Sequence, residues 1–213
     1  MGLVAADLLP DYTASLNDAA AVFGTDTTAP TLTENLTRHL QIAARALSSD
    51  GKRPLVRIGT LAVVAGQGRY DDVPDDLVMP RTTTWNTGCD AFGEPLQQWN
   101  LPIGPLPGVF LGDGFLLLMP APNAAQVRVF GSAFTFTYLA AHAVTDAAET
   151  STLTDADKNL LLLRAQVEAM REMTMRNIHK PVSLRSAGAG AVPSNMQPAA
   201  LYEKLLAEYK AAA

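Results

Sequence analysis

The densest group of side chains able to do chemistry is the acidic cluster Asp71–Asp76, four aspartates placed around Pro74. Carboxylates so close together could bind a metal ion or serve as acid and base in catalysis. Aspartate beside proline is equally typical of a solvated turn, and the ligand spacing of an EF-hand is not present. We favour the turn interpretation. The alternative is a small enzyme that uses this cluster together with His142.

Nucleophilic catalysis requires a base beside a serine, threonine or cysteine. The pattern places His39 at the polar edge of a helix, His142 in a loop after a strand, and His179 after the end of a helix. No serine has the Gly-x-Ser-x-Gly context, and Cys89 has no histidine near it in sequence. A single cysteine also excludes an internal disulfide and a cysteine-based zinc site. The sequence therefore predicts no catalytic residue, no metal site, no cofactor and a protein that is not an enzyme.

Composition narrows the class further. The chain has 213 residues, of which 48% are hydrophobic and 17% charged, enough for one folded domain with or without an arm. Its net charge of −5 argues against a protein that coats nucleic acid. No apolar run approaches the roughly 20 residues that span a bilayer. Residues 1–10 lack the basic start and apolar stretch of a signal peptide. We expect a soluble protein made in the cytoplasm, with no membrane partner.

Helical periodicity occurs before and after the middle part of the chain. It predicts helices over about residues 10–24, 31–48 and 154–178, the last ended by Pro181. Thr31 with Glu34, and Thr154 with Asp157, have the spacing of helix-capping pairs. Apolar residues at steps of three and four mark one face of the second helix: Leu32, Leu36, Leu40, Ala43 and Leu47.

The middle of the chain reads as β structure, over about residues 54–140. Residues 55–65 are rich in β-branched side chains, and 134–139 alternate with period two. We expect 115–119 and 127–130 to form a strand pair around a proline-rich turn. Strands grouped together, rather than alternating with helices, predict an α+β fold: a helical bundle with an inserted antiparallel β segment.

The last part of the chain is predicted to be an extended C-terminal arm, residues 182–213, after a first domain of residues 1–181. Residues 182–197 have small side chains typical of a tether. A terminal helix follows, too short to be stable in water without a partner surface. That surface is either its own bundle or another protein, and the residues that would face it are Leu201, Tyr202, Leu205, Leu206 and Tyr209.

The order of elements resembles a known family. Residues 70–77 (YDDVPDDL) follow a helix and a β run, and residues 115–122 (FLLLMPAP) come some 40 residues later. The segments 127–130 and 134–138 and then a long helix complete the order. Over about residues 10–180 the chain is similar to the head-to-tail adaptor (connector) proteins of tailed bacteriophages, which carry a comparable Tyr-to-Pro-x-Asp step and a Leu-x-Pro-x-Pro turn.

The resemblance implies a structural protein of the virion neck. It implies a homo-oligomeric ring, commonly of twelve subunits, that binds the portal protein and the next neck or tail protein. Genome DNA would pass through the lumen without sequence-specific binding. The terminal helix would dock on the portal through the five residues named above. The alternatives are another virion ring protein, such as a head-completion or tail-terminator protein, or the small enzyme already described.

A closed ring needs two different complementary patches on each subunit. The proline-rich stretch 80–112 is a candidate for one of them, with Trp85 and Trp99 as anchors of the subunit interface. The alternative is that both tryptophans fill the subunit's own core.

Overall fold

The structure, a computed structural model, describes residues 2–24, 31–85, 104–177 and 198–212. The chain divides into two compact units. The helical unit is built from Met1–Lys52 and His142–Ala213, and the β unit is Arg53–Ala141. This is the α+β fold predicted from the sequence, with the β segment inserted into the helical part. The division differs from the predicted one at 181, because the C-terminal helix belongs to the helical unit.

The first helix begins earlier than predicted. Helix α1 covers Ala5–Leu16 and contains Pro10, and a 3₁₀ segment, Asn17–Phe23, follows it. The predicted start at about residue 10 is therefore too late, and Pro10, which cannot donate a backbone hydrogen bond, lies inside the helix. The buried stripe of α1 nevertheless begins before Pro10 and is made by Ala5, Leu8, Tyr12 and Leu16. The apolar periodicity therefore outweighs the loss of one hydrogen bond.

Helices α2 (Leu32–Ser49) and α4 (Lys158–Asn177) lie close to their predicted positions. Thr31 caps α2: its hydroxyl accepts from the Glu34 N–H, and its own N–H donates to the Glu34 carboxylate at 2.6 Å. Thr154 and Asp157 form the second predicted pair, on a short 3₁₀ segment, Asp155–Asp157, that leads into α4. Four of the five predicted stripe residues of α2 are fully buried: Leu36, Leu40, Ala43 and Leu47. The expected end of α4 at Ile178 and Pro181 lies outside the described residues.

The C-terminal helix α5 (Pro198–Ala211) packs on the bundle of its own chain. Tyr209 is 2% exposed, and its hydroxyl donates to the Asp50 carboxylate at 3.0 Å. Lys52 donates to the Lys210 carbonyl at 2.8 Å and so caps the end of the helix. Four further side chains of α5 are partly buried against the same core: Leu201, Tyr202, Leu205 and Leu206.

Of the two partner surfaces considered for the terminal helix, its own bundle is therefore the one observed. Tyr209, predicted to dock on the portal, is enclosed in its own unit instead. The reason is that a ring which is mostly apolar but carries one hydroxyl is best buried where that hydroxyl finds an acceptor, here Asp50. The predicted tether of residues 182–197 lies outside the described part of the chain.

In its described residues the β unit has two three-stranded antiparallel sheets. The first sheet has the order β1 (Leu55–Ala62), β6 (Ala133–Ala140), β3 (Leu77–Thr83). The second sheet has the order β2 (Arg69–Tyr70), β5 (Leu116–Met119), β4 (Gly108–Leu111). Strand β6 alternates as predicted, and every second side chain is buried in one aromatic core: Phe134, Phe136, Tyr138 and Ala140.

Gly59 is required by this core. It lies directly opposite Phe136 in the β1–β6 register, and a Cβ atom at position 59 would come within 2.6 Å of the Phe136 ring. The missing side chain lets the ring lie flat against the β1 backbone, so a larger residue here would displace Phe136.

The predicted strand at 127–130 is wrong. Residues Ala124–Phe130 form helix α3, and β5 pairs with β4 and β2 instead. The determining signal is a capping box: Asn123 accepts from the Gln126 N–H at 2.8 Å, and Gln126 accepts from the Asn123 N–H at 2.9 Å. Val127 and Phe130, three residues apart, then pack against the β-unit core from one face of the helix.

We expect Tyr209→Ala to lower the free energy of unfolding by about 3 kcal/mol, since it removes a buried aromatic ring. Tyr209→Phe keeps the ring, loses the hydrogen bond to Asp50 and should cost about 1 kcal/mol. Chemical denaturation followed by circular dichroism measures both values. Glu203→Ala, on the exposed side of the same helix, is the control and should change stability by less than about 0.5 kcal/mol. An unchanged midpoint for Tyr209→Ala would mean that α5 does not belong to the bundle.

Candidate functional site

A buried polar network joins three helices of the helical unit. His39 of α2 is only 1% exposed. Its Nδ1 lies 3.1 Å from the Tyr12 hydroxyl of α1, and its Nε2 lies 2.9 Å from the Glu172 carboxylate of α4. Glu172 also accepts from Arg38 at 2.5 Å and from Arg176 at 2.6 Å. We call these five residues the bundle network.

The single hydroxyl proton of Tyr12 has two acceptors within reach. One is His39 Nδ1, and the other is the Ala165 carbonyl at 2.8 Å. Because the Glu172 carboxylate can only accept, neutral His39 carries its proton on Nε2 and Nδ1 accepts from Tyr12. When Nδ1 is protonated, the Tyr12 hydroxyl turns to Ala165 and accepts from the ring. Both charge states of His39 are therefore fully hydrogen-bonded without movement of heavy atoms.

The environment of His39 nevertheless favours the neutral ring. Burial lowers the pKa of His39 below its ordinary value, the hydrogen bond and charge of Glu172 oppose this, and the charge of Arg38 adds to the lowering. For Glu172, burial acts to raise the pKa, but hydrogen bonds from His39 and Arg176 and the charge of Arg38 outweigh it and the pKa is lowered. The network thus keeps a carboxylate between two guanidinium groups and a neutral imidazole.

The acidic cluster Asp71–Asp76 lies in the β unit and is engaged in local pairs. Asp76 forms an ion pair with Arg57 and accepts from the Tyr138 hydroxyl at 2.9 Å. Asp71 lies 3.1 Å from Arg69. The Leu77 N–H donates to the Pro74 carbonyl at 3.0 Å, as the turn interpretation predicts. Within the described part of the chain, no three histidine, cysteine or acidic side chains converge as a metal site would require.

His142 belongs to the helical unit and not to the unit that carries the acidic cluster. It is buried, and its Nδ1 lies 2.8 Å from the Thr152 hydroxyl. The small-enzyme alternative pairs His142 with the acidic cluster, and these residues belong to different units. His179 and Cys89 lie outside the described residues.

Trp85 is 5% exposed and lies in the core of the β unit, with ring centroids 5.3 Å from Phe130 and 5.2 Å from Phe134. Its prediction as an anchor of the subunit interface is thus corrected in favour of the alternative that it fills its own core. A flat ring beside two other aromatic rings gains more from edge and stacking contacts than from exposure. Trp99, the second predicted anchor, lies outside the described residues.

The outer face of the first sheet carries a group of apolar side chains beside Thr60, Thr135 and Thr137. Val56, Leu139 and Met79 lie in one row across its three strands, because both β1 and β3 pair with β6 at position 139. Ile58 in the next row is 70% exposed, opposite Thr137. These side chains point away from the aromatic core, which takes the alternate residues of β6.

The outer face of the second sheet carries exposed apolar side chains too. Phe110, opposite Leu117 in the register, is 54% exposed, and Met119 is 56% exposed. On the other side of Leu117 in the same row lies Arg69, whose guanidinium stacks 4.2 Å above the Phe115 ring. Since the inner residues of both sheets share one core, the two outer faces are separate surfaces of the β unit. Exposed large apolar side chains grouped in this way make both faces candidates for interaction surfaces.

The bundle network and both outer faces are not predicted from the sequence. His39 is predicted at a polar edge, but it falls between Leu36 and Leu40 of the buried stripe, and that position is a signal for a buried, partnered histidine. No motif in the sequence singles out Tyr12 or Glu172. The near-continuous apolar run of β5 is the one available signal for an outer face, because a strand with a single buried face alternates apolar and polar residues.

Comparison with protein-family models finds no match for this chain, and comparison with curated proteins finds none either. In the described residues, no helix combines the length and apolar character needed to cross a membrane.

We expect stability to fall as the pH drops below about 6.5, the ordinary pKa of histidine. The unfolded chain then binds a proton at His39 that the folded protein takes up only at lower pH. Proton binding therefore stabilises the unfolded state relative to the folded state. The lowered pKa of Glu172 adds a second loss below about pH 4.5, the region where an ordinary glutamate is protonated.

The measurement is the free energy of unfolding of the natural protein and of His39→Asn between pH 8 and 5. The advantage of the natural protein should shrink steadily below pH 6.5. An advantage that stays constant over this range would show that His39 titrates alike in the folded and unfolded states.

Proposed function

We propose that this chain is a structural neck protein of a tailed bacteriophage, a head-to-tail adaptor located in the virion. In this proposal its subunits form a ring that joins the portal of the capsid to the tail and continues the DNA channel. The observation that carries the proposal is the pair of separate apolar outer faces on the β unit, around Ile58 on one sheet and around Phe110 on the other.

A ring closes through head-to-tail contacts, so each subunit needs two different patches that fit one another. A single apolar patch would support only a two-fold dimer or a contact with one partner. The two outer faces supply two patches on one rigid unit, since the inner sides of both sheets are fixed in the same aromatic core. This geometry replaces the tryptophan anchors expected from the sequence. A ring of twelve subunits, as in the adaptors that the sequence resembles, is part of the proposal.

The charge of the chain supports a channel through which DNA moves. A net charge of −5 gives little attraction to phosphates, so a passing duplex would not be held by counterion release. The proposed partners are therefore the portal, the next neck or tail protein, and DNA that is conducted without sequence-specific binding.

The contact with the portal is proposed for the side of α5 that the bundle leaves partly open. Tyr209 is excluded from it, because it is buried. The remaining apolar side chains of this helix keep part of their surface exposed and are the candidates: Leu201, Tyr202, Leu205 and Leu206.

Phe110→Asp should prevent ring formation without unfolding the subunit, because it places a charge in an apolar contact while the side chain is already half exposed. Native mass spectrometry of the mixture with the cognate portal should show at least a tenfold loss of ring, which corresponds to about 1.4 kcal/mol for the whole assembly. Ile42→Asp is the matched control, since Ile42 is a comparably exposed apolar residue of α2 in the helical unit. Equal rings from both variants would contradict the role of the second sheet.

Mixing the protein with its cognate portal, followed by electron microscopy, tests the whole proposal. A ring seated on the portal is expected. Rings that form but do not bind the portal would indicate a different virion ring protein. A protein that forms no ring with or without the portal would contradict both.

A further inference from the structure

Among the residues that the structure describes, strand β1 is an edge of the first sheet. In the order β1–β6–β3 its described partner is β6, through eight consecutive residues, Leu55–Ala62, with no shift in register. An exposed edge of this kind presents a row of backbone donors and acceptors to any strand that can align with it, and monomeric proteins usually protect such edges with proline, lysine, bulges or short length.

The other described edges carry such protection. Strand β3 contains Pro80 and two irregularities of register. Strand β2 has two residues and β4 has four. Strand β1 contains neither proline nor lysine, and its one charged residue, Arg57, is directed to the inner side, where it pairs with Asp76. Of the edges that the structure describes, β1 is therefore the long, regular and unprotected one.

The backbone groups that face outward can be assigned. The Val63 N–H donates to the carbonyl of Ser132, its direct counterpart in the continued register, at 2.8 Å. Hydrogen-bonded pairs alternate along an antiparallel ladder, so the odd-numbered residues of β1 bond to β6. The N–H and C=O groups at the even positions therefore point to the open edge. Their side chains lie on the outer face and are uncharged: Val56, Ile58, Thr60 and Ala62.

We propose that two copies of this chain pair through β1, antiparallel about a two-fold axis at Ile58, and join their first sheets into one of six strands. The partner is a second copy of the chain, because the β1 strand of that copy is the described edge that is long enough to pair with all of β1. Antiparallel pairing of identical strands is also self-complementary. The outer faces of the two sheets lie on the same side of the junction only if even-numbered residues pair with even-numbered residues, so the two residue numbers of each pair must add to an even number. Centring on Ile58 meets this condition, places Val56 opposite Thr60, and sets Arg57 opposite Gly59 rather than opposite its own copy.

This inference goes beyond the proposed ring and does not rest on it. A two-fold contact is not one of the repeated head-to-tail contacts of a ring. The pairing belongs to the protein free of its portal, and each proposal can fail while the other stands.

The first experiment uses Ile58→Cys in a Cys89→Ser background, under mild oxidation and without the portal. In a hydrogen-bonded antiparallel pair the two Cα atoms at position 58 lie about 5.5 Å apart, within the range that a disulfide spans. We expect a covalent dimer on a non-reducing gel. Met79→Cys, exposed on the same face but on the protected edge, is the matched control and should cross-link at least tenfold less.

The second experiment measures the dimer by sedimentation at increasing protein concentration. Ile58→Lys places two like charges opposite each other and should raise the dissociation constant at least tenfold. Met79→Lys should leave it unchanged. A natural protein that stays monomeric up to about 100 µM would overturn the proposal, as would a dimer that position 58 does not cross-link. Equal weakening by both lysine variants would assign the contact to the sheet face and also overturn it. A ring on the portal in any of these cases leaves the proposed function standing.

Discussion

The helical unit depends on the hydrogen bonds of one buried imidazole. His39 on α2 joins Tyr12 on α1 to Glu172 on α4, and the residues it connects lie 27 and 133 positions away in the chain. No pair of these helices completes the network alone, because each ring nitrogen needs its own partner and an orphaned one would be buried. The bundle is thereby fixed in one arrangement of its helices, since a slip of one turn on any helix would leave a buried polar atom unpaired.

The β unit is organised differently. Its interior is aromatic and its order comes from packing: Gly59 admits Phe136, and Trp85 closes the core beside Phe130 and Phe134. Several of the alternate residues on the outer faces are apolar as well, beside Thr60, Thr135, Thr137 and Arg69. Sheets that are apolar on both faces are usually covered on both faces.

Which features could be predicted from the sequence depends on whether their signal is local in the chain or comes from contacts between distant segments. Helix α2 was predicted almost to the residue, because its cap at Thr31 and its stripe from Leu36 to Leu47 are local. The strand expected at 127–130 failed because β-branched residues were weighed without the Asn123–Gln126 cap before them. Contacts between distant segments decide where α5 packs, whether Trp85 is buried and which residues bind His39. A single sequence records that such side chains need partners but not which ones.

The insertion of the β unit has a consequence for the order of folding. Leu55 and Ala140 lie opposite each other in the register, so the unit begins and ends at neighbouring backbone positions. Its residues are contiguous and emerge from the ribosome before α4 exists, whereas the helical unit waits for the chain beyond His142. A folded insert shortens the loop between the two helical parts from about ninety residues to a few, which is roughly four halvings of its length. The entropic cost of closing that loop falls by about 2.5 kcal/mol as a result. Folding of the β unit during synthesis would thus make it easier for the two parts of the helical bundle to meet.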